Sequence, residues 1–425
     1  VTKAWLRQVV LVLVFCCHSS FRGVIEALRD LFDYDLSLGT VHNIVRDAVP
    51  AARRHNLGQD LSAVGIGAHD EIFQAHAPVL AGCDAETTYC YLLSPEEHRD
   101  TDTWAVRLLE LKGRGFAPRA TIADGGQALR AGQEVALPGV PCRGDTFHIQ
   151  FEEVGPLLRA AEGRAYKAIE ATSKLERQLA TPGKWRDKHK QSLTGKLRYA
   201  RQEEQEAVAL AGDVALLVRW PREDILAVAG PAHAVRQELY DFVVSELRAR
   251  QGRWEHRLRP VCVALGNQRD VLLAFAAQLD EDLATVAQGC QVPVSLAREA
   301  LQVQALSAPD VRRGPREAAL WRALGGRYQR PRAAVAAVAA AVVRASSVVE
   351  NLNSRLRSYF FLRREVGLDY LALLQFFLNH RRFQRGARRE RVGKSPAELL
   401  SGQAQPHWLE LLGYTRFSRQ QRPAA

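Results

Sequence analysis

The sequence of 425 residues contains no methionine, not even at position 1. This absence predicts either a non-ATG start codon or a truncated reading frame. The chain also has no apolar run long enough to cross a membrane. Its most apolar stretch, "VVLVLVFCC" (9–17), lacks the A-x-A-like site that follows a signal peptide. We therefore expect a buried helix there and no membrane partner.

Cysteine pairs are absent as well. The seven cysteines are scattered, with no CxxC pair and no zinc-finger spacing. An odd, scattered set is typical of reduced thiols in a cytosolic protein. We expect a cytoplasmic location.

Acidic residues are scarce in the last third of the chain. From Arg312 onward there are 22 Lys and Arg but seven Asp and Glu, whereas the whole chain carries a net charge of +11. A basic segment on an otherwise balanced protein favours a polyanionic partner, most simply nucleic acid. An arginine-rich proteome would produce the same composition.

A helix-turn-helix is predicted near the N-terminus. Residues 19–48 contain two stretches with helical apolar spacing, separated by Asp-Tyr-Asp, and Ser37 is suited to cap the second. Such a pair is typical of DNA-reading units, although an ordinary helical hairpin has the same pattern. In the DNA-reading case, the outward face of the second helix carries the contacts Thr40, His42, Asn43 and Arg46.

The apolar pattern changes after about residue 60. Single strands are predicted over 63–74, 119–124 and 140–150, and a hairpin of two strands over 77–94. Helices are predicted over 100–115 and 126–136. Few folds use this order, and the ribonuclease-H-like α/β fold is the commonest. From 151 to 335 strand signals vanish, and a long helix is predicted over 333–364.

These patterns predict four parts. They are a helix-turn-helix region (1–60), the first part of a ribonuclease-H-like catalytic core (61–150), a large α-helical insertion domain (151–335), and a core helix with a basic C-terminal region (336–425).

Two aspartates stand where acids are awkward in this predicted sheet. Asp70 lies inside the first strand, and Asp124 ends the fourth, before Gly125 and Gly126. The first and fourth strands are neighbours in a ribonuclease-H-like sheet, so the two carboxylates would repel unless a cation lay between them. Oxygen ligands suit Mg²⁺ or Mn²⁺. Alternatively, Asp124 only caps the following helix.

Glu350 is the third unusual acid. It is the only acidic residue between Glu317 and Glu365, on a helix otherwise lined with Ala, Val and Arg. By itself it could be a surface residue paired with Arg344 or Arg357.

Asp70, Asp124 and Glu350, in this order and with a helical segment before the glutamate, resemble the catalytic triad of DDE transposases. More specifically, they resemble transposases with a helical domain inserted before the glutamate, as in the Mutator-like and hAT-like groups and many bacterial insertion-sequence elements. Those groups often carry a [C/D]-x-x-H motif, which "DTFH" matches with Asp145 and His148. The stretch "ENLNSRLR…FFLNHRRF…RVGKSPAELL" resembles the region after the glutamate in many transposases and integrases.

The resemblance implies hydrolysis of a phosphodiester at the element ends, followed by attack of the freed 3′-OH on target DNA. Asp70, Asp124 and Glu350 would be catalytic and would hold two Mg²⁺ (or Mn²⁺) ions. Asp145 and His148 would either support this site or contact DNA near the cleaved strand, or they would fix the strand end to the inserted helices. The partners would be the terminal inverted repeats and target DNA, bound by at least a dimer in a nucleoid-associated state.

Strand alternation turns Glu71 to the face opposite Asp70, so it is not expected to be a ligand. Basic residues after Glu350 are expected to contact DNA phosphates, the alternative being a solvated tail. They are Arg355, Arg357, Arg363, Arg364, Arg381, Arg382, Arg385, Arg388, Arg389 and Lys394.

Two rival functions share these features. A junction endonuclease would use the same triad, although the helix-turn-helix argues against an enzyme that reads DNA shape. A domesticated DNA-binding protein would keep the fold and lose the chemistry.

Overall fold

The computed structural model describes residues 2–123, 126–181, 186–344, 347–363, 366–386 and 388–416, without the side chain of Arg253. The chain forms two compact units. Unit 1 combines residues 1–142 with 345–425, and unit 2 comprises residues 143–344. The protein is mixed α/β and mostly helical, with one five-stranded mixed sheet.

The strands lie in the order β3-β2-β1-β4-β5. The middle strand, β1, is antiparallel to β2 and parallel to β4, and β2 is antiparallel to β3. The expected proximity of the first and fourth strands is confirmed. The strands are β1 Ile66–Gln74, β2 Ala77–Asp84, β3 Cys90–Pro95, β4 Ala120–Ala123 and β5 Cys142–Gly144.

The α-helices are numbered in chain order, with short 3₁₀ and π segments left unnumbered. They are α1 Lys3–Phe15, α2 Phe21–Phe32, α3 Leu38–Gly58, α4 Thr101–Lys112, α5 Gln127–Ala136, α6 Thr146–His148, α7 Gly155–Ala180, α8 Asp187–Trp220, α9 His233–Ala249, α10 Glu255–Cys290, α11 Val294–Ala305, α12 Arg313–Leu324, α13 Gln329–Ala341, α14 Ser347–Phe360, α15 Leu368–His380, α16 Pro396–Ser401 and α17 Trp408–Leu411.

The first three helices form the predicted N-terminal helical region. Helix α1 contains most of the apolar stretch 9–17 and buries it in the core, as expected. Ser37 caps α3 by accepting a hydrogen bond from the Thr40 N–H, 3.1 Å away. Among the described residues, no helix combines the length and the apolar character needed to span a bilayer.

Helices cover both faces of the sheet because its side chains alternate. Ala68 and Ile72 of β1 pack into a core shared with α1–α3, α14 and α15. Leu80 of β2 and Ala123 of β4 face a second core with α4 and α5. The buried Asn379 of α15 joins these layers, since its amide exchanges hydrogen bonds with the Cys90 backbone at 2.7 and 2.8 Å.

Unit 2 is helical from Thr146 onward in its described residues. Its most buried cation is Arg236, which donates hydrogen bonds to the carbonyls of Pro231, Ile225, Ala227 and Val228 at 2.5–3.1 Å. The guanidinium therefore holds together the turn before α9.

Two elements differ from the sequence expectations. The strand predicted over 140–150 stops at Gly144, because Asp145 accepts a hydrogen bond from the Phe147 N–H and starts a helical turn. The single helix predicted over 333–364 is wrong, since α13 ends at Ala341 and Val342 is extended. The chain there is fixed by a contact distant in sequence, the Thr146 N–H donating to the Arg344 carbonyl at 3.0 Å.

Burial of His69 in β1 is expected to make the fold acid-sensitive. Burial lowers the pKa of His69 to about 4 from its ordinary value of 6.5. The folded chain therefore keeps the ring neutral where the unfolded chain protonates it, so stability from this group is complete above about pH 6.5 and falls toward pH 4. Near pH 5 the lost free energy of unfolding is about 2 kcal/mol.

Urea denaturation of the wild type and of His69→Gln, at neutral pH and near pH 5, measures this contribution. The glutamine can still bond the Tyr91 hydroxyl, which lies 3.0 Å from His69 Nε2. The variant should lose less stability on acidification than the wild type. Equal losses in both proteins would contradict the assignment.

Candidate functional site

Asp70 lies on the central strand and is bonded to a helix from the far end of the chain. Its Oδ2 accepts a hydrogen bond of 2.6 Å from Asn353 Nδ2, and its Oδ1 accepts one of 2.7 Å from the Glu71 N–H. Asn353 is buried on α14. The carboxylate is half-buried, so these donors offset part of its desolvation.

Glu350 lies one helical turn before Asn353 on the same helix. Residues three apart are neighbours on a helix surface, so both side chains belong to one side of α14. Glu350 is half-buried and makes no ion pair with Arg357 in the described part of the chain. The Arg344 guanidinium donates instead to the Leu226 carbonyl. The described contacts therefore do not support the alternative in which Glu350 is a surface residue paired with Arg344 or Arg357.

Asp124 lies outside the described residues. Strand β4 is described to Ala123, and α5 begins at Gln127 with Gly126 as its N-cap residue. Between these limits the structure gives no account of Asp124. Across the described ranges, no three His, Cys, Asp or Glu side chains are grouped so that they could hold a metal ion.

The surroundings of Asp70 nevertheless suit a hard cation. Asn353 Oδ1 is buried and has no hydrogen-bond partner among the residues that the structure describes. A buried amide oxygen without a donor is costly, and carboxylate and amide oxygens are the ligands that Mg²⁺ prefers. Asp70 and Asn353 therefore supply a donor set of the right chemistry.

The other side of β1 is occupied differently. Glu71 accepts hydrogen bonds from Arg99, at 2.7 Å, and from Trp104 Nε1 of α4, at 3.1 Å. The expectation that Glu71 faces away from Asp70 is confirmed, because its partners lie in the layer opposite α14.

Neither the protein-family models nor the curated proteins that were compared match this chain.

Asp145 and His148 belong to unit 2. Asp145 is buried and caps the turn of α6, and His148 Nδ1 lies 3.1 Å from Glu152. The proposed supporting role of Asp145 and His148 stays a prediction.

The outward face of α3 is polar and accessible. His42, Asn43 and Arg46 are exposed and Thr40 is half-buried, while Val41 and Ile44 face the core. His42 and Arg46 line a cavity of about 820 Å³ together with Arg22, Arg53, Arg363 and Tyr370.

The basic residues after Glu350 fall into three groups, and Arg364 lies outside the described residues. Arg357, Arg389 and Lys394 are exposed. Arg363 is half-buried, with its guanidinium 3.8 Å from the Tyr370 ring centre and its two Nη atoms buried. The remaining five line a single cavity, and they are Arg355, Arg381, Arg382, Arg385 and Arg388.

Sequence reasoning missed the contact of Asn353 with Asp70. It placed Asn353 on the same face as Glu350, and that helical spacing was the available signal. The pairing itself joins residues 283 positions apart, which no local pattern reveals.

Replacement of Asn353 by alanine is expected to lower the free energy of unfolding by about 1–3 kcal/mol, because the half-buried Asp70 carboxylate loses a donor. Ser354→Ala is the matched control, since Ser354 is exposed on the same helix. Urea denaturation near neutral pH measures both variants. A similar small loss in the two would show that the hydrogen bond contributes little.

Proposed function

We propose that this chain is a DNA transposase of the DDE type, with a ribonuclease-H-like core in unit 1 and unit 2 as its helical insertion. The observation that carries the proposal is the 2.6 Å hydrogen bond from Asn353 to Asp70, which ties the helix of Glu350 to the central strand. Two of the three proposed catalytic acids therefore come from elements in direct contact.

The strand register supports the third acid. Ala68 of β1 pairs with Ile122 of β4, and the strands are parallel. Asp70 follows Ala68 by two residues, and Asp124 follows Ile122 by two residues. The equal sequence separation is what the proposal of a carboxylate site shared by these two strands requires.

Asp70, Asp124 and Glu350 would hold two Mg²⁺ or Mn²⁺ ions, which supply an activated water and stabilise the leaving 3′ oxygen when bound. Asn353 would hold the Asp70 carboxylate in one orientation. The α/β core would position the scissile phosphate, so that catalysis rests on placement and charge and needs no Ser, Cys or Lys nucleophile.

The basic surfaces support DNA as the substrate. The outward face of α3 presents amide, imidazole and guanidinium groups, which are base-edge and phosphate donors. The arginine-rich segment after α15 is held in place, because the Phe383 N–H donates to the Lys394 carbonyl and the Gly393 N–H to the Phe383 carbonyl, both at 2.9 Å. A segment closed in this way fits a binding surface better than a solvated tail.

Loss of the outward polar groups of α3 is expected to weaken recognition of the element ends. Arg46→Ala and Asn43→Ala should each reduce affinity for the specific duplex by about 5–150-fold, the range for one good base contact. Arg54→Ala, an exposed arginine two turns further along α3, is the matched control. Fluorescence anisotropy with the DNA that flanks the coding frame measures the three. An equal effect in all three would remove α3 as the reading helix.

Metal-dependent cleavage is expected to require all three acids. Asp70→Asn, Asp124→Asn and Glu350→Gln should each reduce nicking and strand transfer to background in Mg²⁺ or Mn²⁺ while leaving DNA binding intact. Glu134→Gln, an exposed acid on α5, should retain the wild-type rate.

The same assay separates the rival functions. Tight binding of the flanking DNA without cleavage in any metal would contradict the enzyme and favour a DNA-binding protein. Cleavage of four-way junctions without preference for the flanking sequence would favour a junction endonuclease.

A further inference from the structure

An arginine-lined cavity lies in unit 1 beside α14. It has a volume of about 690 Å³ and is formed by the turn between β2 and β3, by α14 and by the segment after α15. No Asp or Glu lines it among the described residues. Its cations are Arg355, Arg381, Arg382, Arg385, Arg388 and Arg391.

Two of these arginines build the wall of the cavity. Arg382 pairs with Glu398 at 2.8 Å and donates to the Gln405 carbonyl. Arg391 donates to the carbonyl of Glu86, in the turn between β2 and β3. The segment is therefore pinned to α16 and to the sheet.

Arg355 is a half-buried arginine on the wall of this cavity. Burial lowers its pKa, and Tyr359, Arg381, Cys90 and Cys83 act on it electrostatically. It makes no hydrogen bond or ion pair with an acid in the described part of the chain. A half-buried guanidinium beside a second arginine is unfavourable unless an anion is bound there.

A second polar group in the cavity also lacks a partner. Thr88 Oγ1, in the turn between β2 and β3, is buried and makes no hydrogen bond with the described residues. Together, Thr88 and Arg355 present a hydroxyl and a guanidinium, which are the donors that bind phosphate.

Helix α14 connects this cavity to the candidate active site. Ser347, Asn351 and Arg355 recur at four-residue intervals and face the cavity. Asn353, between them in sequence, turns to β1 and Asp70. A ligand in the cavity would therefore lie against the helix that carries Glu350.

We propose that this cavity binds consecutive phosphates of a single DNA strand, with Arg355 among the contacts. The strand is taken as DNA because the inference rests on the proposed function. A single strand is favoured because the volume of the cavity suits a few nucleotides. A DNA duplex is too wide to enter a concave site of that size.

The test is fluorescence anisotropy with a labelled single-stranded oligonucleotide in EDTA, over a series of salt concentrations. Arg355→Gln and Arg388→Gln should each weaken binding at least fivefold and should reduce the salt slope by about 0.7 for each lost phosphate contact. Arg119→Gln, an exposed arginine before β4, removes the same charge elsewhere in unit 1 and should change neither quantity.

Thermal denaturation gives a readout that a structural role would not produce. Because Arg355 pairs with no acid among the described residues, Arg355→Gln should leave Tm unchanged or raise it while DNA affinity falls. A residue that merely holds the fold together would lower Tm, and that outcome would overturn the assignment for Arg355. Arg388 is exposed, so its variant tests the cavity without that ambiguity.

Three outcomes would overturn the proposal. One is binding by Arg355→Gln and Arg388→Gln that matches Arg119→Gln. Another concerns pyrophosphate added as a competitor. The proposal fails if pyrophosphate displaces the strand only at concentrations far above those at which pyrophosphate itself binds the cavity. The third is that Arg355→Gln and Arg388→Gln weaken the binding of duplex DNA but not that of the single strand. Since no metal or cleavage is involved, an inactive protein that still binds the strand through Arg355 would refute the proposed enzyme and leave the cavity site standing.

Discussion

The hydrogen bond between Asn353 and Asp70 is the contact on which unit 1 depends most directly. Asp70 is on the middle strand of the sheet, where a carboxylate is hard to accommodate unless a donor reaches it. That donor comes from a helix 283 residues later, so the second half of unit 1 must return to β1 before the carboxylate is satisfied. Once α14 is in place, α15 follows it and its Asn379 bonds the backbone of β3.

The same return holds the N-terminal helices. Asn56 of α3 donates to the Ala372 carbonyl of α15 at 2.8 Å, and the Tyr359 hydroxyl donates to the Phe15 carbonyl at 2.7 Å. The exposed face of α3 is thus oriented relative to the sheet by C-terminal helices. Groups proposed to read DNA and groups proposed to cut it belong to one packed unit.

Arginine serves two opposite purposes in this protein. Arg236 is fully buried and satisfies its donors on four carbonyls, as a structural cation must. Arg355 is half-buried, no carbonyl or acid among the described residues accepts a hydrogen bond from it, and Arg381 acts on it electrostatically. Charge counting along the sequence treats these residues alike. Their hydrogen-bond partners distinguish Arg236, which stabilises a turn, from Arg355, which is proposed to bind an anion.

Local patterns were sufficient for most of the strands and helices of unit 1. The Ser37 cap and the buried Val41 and Ile44 follow from residue types that act within a few positions. The hairpin of β2 and β3 and the opposite orientations of Asp70 and Glu71 follow from strand alternation. The pairing of Asp70 with Asn353, the break after Ala341 and the cavity around Arg355 did not follow from the sequence. They were decided by tertiary contacts between distant segments, because hydrogen-bond satisfaction and burial depend on which groups the folded chain brings together.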